Sequence, residues 1–318
     1  MLMAIAYTGQ HLSFADQVEL LKNRGLVVTD DQRAARHLER IGYYRLKSYW
    51  FPFRISAPVP QPNGRVINVA GQNFRPGTKF EYGVELYVFD KRLRMLMLDA
   101  IERIEVALRV DLAHTVGRRD PWAHRRRAML DHVTAARDHQ SWLSRADRDE
   151  SRSRLDWVQE YRLTYPGRLP IFMAVETWDF GTLSMLYRMS HQQDRATISA
   201  KYGVSGSGMF ASWLRTLNGV RNICAHHGRL WNQPLVNQPS VPTPQEVPDV
   251  AHLANYTASR TRLYAAATVC QHLMTTISPG STWKDRLKAH WGQFPNFPTL
   301  NSGQAGFMPG WRNENIWQ

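Results

Sequence analysis

The sequence predicts a mainly α-helical (all-α) protein built as a helical bundle, and three observations support this fold class. Residues 82–116 carry an apolar stripe with helical spacing, and a second such stripe begins near Met209. Only one short segment, Val66–Val69, has the composition of a β-strand. Apolar residues make up 43% of the 318 residues, which is enough for a substantial core and excludes a wholly disordered chain.

The first predicted domain, residues 1–80, begins with two short helices. Their start and end signals are Ser13 before Phe14, Gly25 after Arg24, and Asp30 or Asp31 before the second helix. The apolar residues of the second helix, which recur with helical spacing, are Ala34, Ala35, Leu38 and Ile41. An aromatic-rich stretch follows and ends at Pro52. Residues 55–78 are rich in proline and glycine, so we expect a loop there, with a short hairpin strand at Val66–Val69 as an open alternative.

The second predicted domain, residues 81–278, opens with the long helix over about 82–116. Its stripe consists of Leu93, Met97, Ile101, Ile104, Leu108 and Leu112. At about 100° per residue, Glu105 lies beside this stripe, while Glu102 and Arg109 lie farther round the helix. An acidic residue at the edge of an apolar stripe is usually solvated or ion-paired, so spacing alone indicates no special role for Glu105.

Charged residues dominate the next segment, residues 118–168, with twelve arginines and eight acids. Mixed charges of this kind are typical of solvated helix faces, but the consecutive Arg125, Arg126 and Arg127 are candidates for phosphate contact. Helical patterns resume at about 171–189, and residues 203–208 indicate a loop. The helix from about Met209 then presents one apolar face, made of Phe210, Trp213, Leu214, Leu217, Val220 and Cys224.

Five prolines between Pro234 and Pro248 forbid a helix in that connection. One further core helix is predicted over about 250–277. The third predicted domain, residues 279–318, is a tail rich in tryptophan, phenylalanine and proline. So many aromatic side chains indicate that the tail docks on the body of the protein.

The formal charge of +13 and the pI near 10 favour a polyanionic partner. Nucleic acid is the leading class and a membrane surface the weaker one. Arginine accounts for 33 of the 40 basic residues, which suits phosphate binding but also follows from a GC-rich genome. Two cysteines supply neither a disulfide framework nor a four-cysteine zinc site. With no apolar run of 18 residues and no secretory signal in Met1–Asp16, we expect a soluble, cytoplasmic protein without a membrane span.

One stretch near the end of the Met209 helix combines arginine, asparagine and histidine in an otherwise apolar pattern. It runs from Arg215 to Asn232 and includes Asn218 and the string Arg221-Asn222-Ile223-Cys224-Ala225-His226-His227-Gly228-Arg229. RNA carries its own nucleophile, the 2′-hydroxyl, so its cleavage needs a proton-transfer group and a cation that stabilises the phosphorane. His226 suits the proton transfer and Arg221 the phosphate, while Asn222 can orient either group. This chemistry requires no metal and no cofactor.

The spacing of these residues raises a difficulty. Five residues at about 100° each place Arg221 and His226 roughly 140° apart on a straight helix. The two side chains converge only if the helix breaks near Ala225, where Gly228 can end it, or if two copies form one site across a dimer axis. The competing interpretation is that His226 and His227 interact with the helix C-terminus and that Arg221 is a structural ion-pair partner.

This stretch resembles the Arg-x4-His motif of the HEPN ribonuclease superfamily, and its extension to Asn232 resembles the Abi-like (abortive infection, AbiD/AbiF type) proteins. Further stretches similar to that family are Asn23–Leu26, Ile41–Leu46 with Tyr49 and Pro52-Phe53, Leu86–Asp90, Leu93-Arg94, Ile101–Glu105 and Leu108-Arg109. The aromatic tail is similar as well. The resemblance covers the chain from about residue 20 to its end. We expect the segments 118–168 and 233–248 to be particular to this chain.

The resemblance implies a HEPN-type helical bundle and a metal-independent endoribonuclease of an abortive-infection or toxin–antitoxin phage-defence system. It implies catalytic roles for Arg221 and His226, with assistance from Asn222. His227, Glu105 and Glu102 are supporting candidates. It also implies a homodimer in which two motifs face each other, and a small noncoding RNA or an antitoxin as a restraining partner.

Two other classes of function stay open. A non-catalytic RNA-binding protein that holds a small noncoding RNA fits the same charge, because exposed aromatic and basic side chains bind single-stranded RNA. The candidate RNA-binding residues are Arg229, Arg109, Arg125, Arg126, Arg127, Tyr44 and Arg45. A DNA-binding regulator ranks last, since no helix-turn-helix pattern with a polar recognition face is present.

Overall fold

The computed structural model describes residues 10–61 and 63–318, and its described part is mainly α-helical, as predicted. Residues 1–9 and Pro62, which belong to the predicted N-terminal domain, lie outside the described residues. The helices and strands, in chain order, are α1 (Phe14–Asn23), α2 (Asp31–Ile41), α3 (Tyr43–Trp50), β1 (Arg54–Pro60), β2 (Val66–Phe74), α4 (Phe80–Gly117), α5 (Ala136–Arg152), α6 (Asp156–Thr164), α7 (Ile171–Ala174), α8 (Phe180–Met189), α9 (Gln192–Lys201), α10 (Ser207–Ala225), α11 (Pro248–Ala251), α12 (Thr257–Thr261), α13 (Leu263–Ile277) and α14 (Trp283–Gly292).

The chain divides into two compact units whose bounds differ from those of the three predicted domains. The first unit comprises the described residues up to Arg92 together with Phe294–Asn301. The second comprises Leu93–Gln293 and Ser302–Gln318.

In the first unit, α1 and α2 begin at the predicted caps. The Ser13 hydroxyl accepts a hydrogen bond from the Asp16 backbone N–H, and the Asp16 carboxylate accepts one from Ser13 N, which forms a capping box. Asp30 caps α2 by accepting from Arg33 N at 2.8 Å. Gly25, with φ of 88°, lies directly beyond the end of α1, as expected for a residue that must adopt a left-handed conformation.

The segment predicted as a proline-rich loop, residues 55–78, is mostly a β-hairpin. β1 and β2 pair antiparallel, with Ser56 opposite Ala70 and Pro60 opposite Val66. The strand prediction at Val66–Val69 is therefore confirmed, whereas the loop prediction is wrong. In a two-stranded sheet, every second backbone N–H of a strand points away from the partner strand. A proline at such a position costs no hydrogen bond between the strands.

The core of the first unit forms around Trp50, which is fully buried. Its Nε1 donates to the Phe80 carbonyl at 3.0 Å. An ideal Cβ at Gly83 would lie 2.2 Å from that same nitrogen, so the indole occupies the space where any other residue at position 83 would place its side chain. The buried residues of this core are Val18, Leu21, Leu26, Ala34, Leu38, Leu46, Trp50, Phe74 and Phe80.

In the second unit, the stripe predicted for the long helix is buried throughout, from Leu93 to Leu112. α10 packs against α8, α9 and α13, and α5 packs against α8. The aromatic side chains of the predicted tail that fall in this unit are docked. Trp283 Nε1 donates to the Leu96 carbonyl at 2.6 Å, and Trp317 Nε1 donates to the Tyr264 hydroxyl at 3.0 Å.

The prediction of one continuous helix over about 250–277 is wrong. Residues 248–277 form α11, a 3₁₀ turn, α12 and α13, with extended backbone at Tyr256 and Arg262. Tertiary hydrogen bonds replace helical ones at the breaks. Leu235 N donates to the Thr261 carbonyl at 2.9 Å, and the Arg262 guanidinium donates to the Asn232 carbonyl.

Glu150, near the end of α5, is only 3% exposed, and its burial raises its pKa to about 7. The Arg125 guanidinium, 3.8 Å from the carboxylate, favours the charged form but does not offset this effect. The nearby Asp147 carboxylate raises the pKa further, and Arg168 opposes it.

We expect this carboxyl group to make folding stability fall as pH rises. Between its ordinary pKa of 4.5 and about 7, the folded state holds a proton that the unfolded state has lost, so ionisation costs up to about 3 kcal/mol of unfolding free energy. Urea unfolding at pH 5, 6, 7 and 8 measures the slope. Glu150→Gln should flatten it, and Glu160→Gln, which removes an exposed carboxylate on α6, should leave it unchanged. Parallel pH profiles for wild type and Glu150→Gln would contradict the assignment.

Candidate active site

The Arg-x4-His stretch lies at the C-terminal end of α10. The helix buries its predicted face, the side chains of Phe210, Trp213, Leu214, Leu217, Val220 and Cys224. Arg221 and Asn222 are half-buried, and Ala225, His226 and His227 are exposed. The apolar face therefore fixes the helix in the core while the motif residues lie at its border with solvent.

The helix ends at Ala225, earlier than the glycine signal indicates. His227 N donates to the Cys224 carbonyl at 3.1 Å and Gly228 N to the Ile223 carbonyl at 2.8 Å, the two bonds of a Schellman motif. The backbone of His227 is in the left-handed conformation, with φ of 57°. Within residues 10–61 and 63–318, His227 is the only non-glycine residue with a positive φ. Such a conformation costs about 1 kcal/mol or more and is found preferentially at functional sites.

Gly228, unlike His227, does not have a positive φ, and a glycine fits there because the backbone passes close to Ile223. An ideal Cβ at this position would lie 3.2 Å from Ile223 Cγ2 and 3.3 Å from the Ile223 carbonyl oxygen. The Gly228 carbonyl accepts a hydrogen bond from Arg94 Nη1 of α4 at 3.1 Å. Leu230 and Trp231 follow and are buried. The chain is thus anchored immediately after the two histidines.

Glu105 on α4 is the acidic group that meets the motif. Its Oε1 accepts from Arg109 Nη2 at 2.6 Å, and its Oε2 lies 3.9 Å from Arg221 Nε. Burial raises the pKa of Glu105, and the charges of Arg109 and Arg221 oppose that rise. Arg109 Nη2 also donates to the Trp178 carbonyl at 3.0 Å. One half-buried carboxylate therefore lies between two guanidinium groups from two helices.

Arg221 also donates through Nη1 to Asn222 Oδ1 at 3.4 Å. Arg221, Asn222 and Glu105 are thus brought together within one chain. No hydrogen bond or ion pair joins the His226 side chain to Arg221 among the residues that the structure describes. The end of the helix at Ala225 therefore does not by itself bring the side chains of Arg221 and His226 together.

The other predicted site residues are distributed over both units. Glu102 is exposed and makes no ion pair with a described residue, although its charge contributes to the raised pKa of Glu105. Arg229 is half-buried in the anchored segment after the motif. In the first unit, Tyr44 is 70% exposed, with Lys47 Nζ 5.5 Å from its ring centroid, and Arg45 beside it is exposed.

The arginine triplet makes contacts within the second unit. Arg125 pairs with Asp147 and Arg126 with Asp120, each at 2.8 Å. Arg127 donates to the Thr134 carbonyl at 3.0 Å. Phosphate contact by these residues, and by Tyr44 and Arg45, stays a prediction.

Three polar residues, Arg145, Asp179 and Asn218, come together close to the motif, and of these only Asn218 belongs to the stretch singled out in the sequence. Asp179 caps α8 by accepting from Thr182 N at 2.8 Å and pairs with Arg145 of α5 at 2.6 Å. An ideal Cβ at Gly181 would lie 3.2 Å from Arg145 Nη2 and 3.3 Å from Asn218 Nδ2 of α10, so the three elements approach closely there. The cap signal at Asp179 is visible in the sequence, but its proximity to α10 is a tertiary feature.

No cluster of three or more histidine, cysteine, aspartate or glutamate side chains with a geometry suited to a metal ion occurs in residues 10–61 and 63–318. Within the same ranges, every helix is too short or too polar for a membrane crossing.

The family model described as Abi-like protein matches residues 36–232, a region that includes Glu105 and the whole Arg221–His226 stretch. No curated protein and no solved structure matches the chain. Because the family match spans more than half of the 318 residues, the chain belongs to the Abi-like protein family.

Proposed function

We propose that this protein is a metal-independent endoribonuclease of the HEPN type that acts in abortive infection. Family membership relates the chain to abortive infection in general. The observation that carries the nuclease proposal is the group at the end of α10, where Arg221, paired with Glu105 and Asn222, lies five residues before an exposed histidine. A phosphate-binding cation and a proton-transfer group are the two parts that RNA cleavage by its own 2′-hydroxyl requires.

In the proposed reaction the 2′-oxygen attacks the adjacent phosphorus and the bond from phosphorus to the 5′-oxygen breaks. The 2′-hydroxyl gives its proton to an imidazole, and the 5′-oxygen takes up a proton as it leaves. The products are a 2′,3′-cyclic phosphate and a 5′-hydroxyl. Arg221 stabilises the charge on the phosphorane, and His226 transfers protons.

Glu105 has the role of a positioning residue in this proposal. Its two oxygens face Arg109 on one side and Arg221 Nε on the other, so it restrains the Arg221 side chain from its Nε edge. The terminal nitrogens, one of which also contacts Asn222, are the groups that meet phosphate oxygens. Asn222 restrains the guanidinium from that second side.

A homodimer forms part of the proposal. No hydrogen bond or ion pair joins His226 to Arg221 among the described residues. Two facing copies of the motif would place a second histidine at the cleft, and this supplies the second proton-transfer group that the leaving 5′-oxygen needs. Exposed apolar side chains on α4 and α7 support such an interface. They are Val106 and Val110 of α4 and Phe172 of α7.

Non-catalytic RNA binding is the second candidate function, in which the protein holds a small noncoding RNA. The exposed Tyr44 ring with Lys47 beside it favours this reading, since aromatic and cationic side chains together bind single-stranded RNA. A bound RNA or an antitoxin protein is also the proposed restraint on the nuclease.

The test is cleavage of total cellular RNA by purified protein in the presence of a chelator, with the product ends analysed. His226→Ala should lower the rate about 10²–10⁴-fold. His132→Ala, which removes an exposed histidine outside the site, should cleave like wild type. Equal cleavage by wild type and His226→Ala, or products without cyclic phosphates, would contradict the proposal. If neither protein cleaves and RNA copurifies with both, the RNA-binding function is favoured.

A further inference from the structure

A cavity rich in arginine lies next to the candidate active site in the second unit. It has a volume of about 440 Å³ and lies between α8 and α10, with one arginine each from α5 and α9. The four arginines that line it are Arg145, Arg188, Arg195 and Arg215. No acidic residue and no aromatic residue belongs to the lining.

Two of these arginines are held in place by acidic partners outside the lining. Arg145 pairs with Asp179 at 2.6 Å, and Arg195 pairs with the buried Asp131 at 2.7 Å. Arg195 also donates to the Arg188 carbonyl at 2.9 Å, which joins α9 to α8. These contacts fix two guanidinium groups against the cavity.

The other two arginines, Arg188 and Arg215, are exposed. Neither makes an ion pair with any residue in the described ranges. The cavity is therefore lined by two arginines, Arg188 and Arg215, that lack an acidic partner among the described residues, and by two that are ion-paired. Such an arrangement attracts an anion, because oriented guanidinium groups bind phosphate oxygens through paired N–H donors.

The lining of the cavity reaches Asn218 on α10, three residues before Arg221 of the motif. Arg215, Asn218 and Arg221 follow each other at intervals of three residues, so each lies about 60° round the helix from the one before it. Arg215 and Arg221 are about 9 Å apart along the axis at the rise of an α-helix. Gly181 of α8 keeps this path narrow but open, since a Cβ there would press on both Arg145 and Asn218.

We propose that this cavity binds the sugar–phosphate backbone of single-stranded RNA next to the phosphate held by Arg221. This inference rests on the proposed function, and it adds where the RNA substrate lies on the protein. The absence of aromatic side chains from the lining argues against a mononucleotide, whose base would need a stacking partner. The hydroxyls of Ser184 and Ser212 add neutral donors that suit phosphate and ribose oxygens. Binding here is independent of sequence, because backbone contacts carry no base information.

The test measures binding rather than cleavage. A fluorescein-labelled RNA oligonucleotide with 2′-O-methyl riboses, which cannot be cut, is titrated with full-length protein at several salt concentrations. Each of Arg188→Ala and Arg215→Ala should lower the salt slope of the binding constant by about 0.7, and the double variant should bind about tenfold more weakly near physiological salt. Arg152→Ala removes the same charge from an exposed position outside the cavity and is the matched control.

The outcomes separate this inference from the proposed nuclease. If wild type does not cleave RNA but the double variant loses affinity and slope, the nuclease proposal fails and the backbone path stands. If wild type cleaves but the double variant binds the oligonucleotide like Arg152→Ala, the path is overturned. Competition by AMP or pyrophosphate at micromolar concentration, lost in the double variant, would also overturn it, because the cavity would then be a small-molecule site. Thermal unfolding of each variant checks that the exposed substitutions leave the fold intact.

Discussion

Arg221→Ala should reduce RNA cleavage about 10²–10³-fold while the protein stays folded. The rate falls because the guanidinium stabilises negative charge that develops on the phosphate only in the transition state. The cost in unfolding free energy should stay below about 1 kcal/mol, since Arg221 Nε lies 3.9 Å from Glu105 in a partly exposed pair. Glu105 keeps its partner Arg109, so no uncompensated buried charge is left.

A lysine at position 221 distinguishes charge from geometry. Arg221→Lys retains the positive charge but loses the planar fork that meets two phosphate oxygens, so its rate should lie between those of Arg221→Ala and wild type. Rates are measured under single-turnover conditions with chelator present, and Arg152→Ala should cleave like wild type. Wild-type cleavage by Arg221→Ala would show that this residue is only a structural partner of Glu105, the competing interpretation of the sequence.

Gly83→Ala should be the most destabilising small substitution in the first unit, at about 2–4 kcal/mol. An alanine Cβ would lie 2.2 Å from Trp50 Nε1, and the fully buried indole has no space into which it can move. Overpacking of this kind costs about 1–3 kcal/mol, and loss of the bond from Trp50 to the Phe80 carbonyl adds to it. The higher helix propensity of alanine returns less than about 1 kcal/mol.

Chemical denaturation followed by tryptophan fluorescence measures this effect. Gly208→Ala is the matched control, because Gly208 lies in the first turn of α10 with no atom within 4 Å of its ideal Cβ. That substitution should be neutral or slightly stabilising. A Gly83→Ala protein as stable as wild type would mean that Trp50 does not pack against α4 as the structure has it.

Most helices of this protein are predictable from local signals. Caps such as Ser13 and Asp30 and the apolar stripes of α4 and α10 act within a few residues of each other, so the sequence is sufficient to locate them. Two predictions failed for different reasons. β1 and β2 pair across a short turn, in a segment whose prolines and glycines are typical of a loop. The break at Arg262 depends on distant partners, because Thr261 and Arg262 are hydrogen-bonded to Leu235 and Asn232.

The same division applies to the candidate site. The residue string from Arg221 to His226 is visible in the sequence, because its chemistry depends on residue types at short spacing. The sequence places Glu105 nearer the apolar stripe than Glu102, but only the structure shows that Glu105 is the glutamate that meets Arg221. The placement of Arg145, Asp179 and Asn218 beside the motif likewise comes from three elements packed together.

The amino-acid sequence is thus sufficient for the mainly α-helical class, the basic character and the motif at the end of α10. These features arise from composition and from interactions between residues that are neighbours along the chain. The tertiary structure decides which carboxylate restrains Arg221, where the last helices break, and how four arginines from four helices come to line one cavity. Those features depend on packing between distant segments, where side-chain volume and unsatisfied backbone groups outweigh local preference.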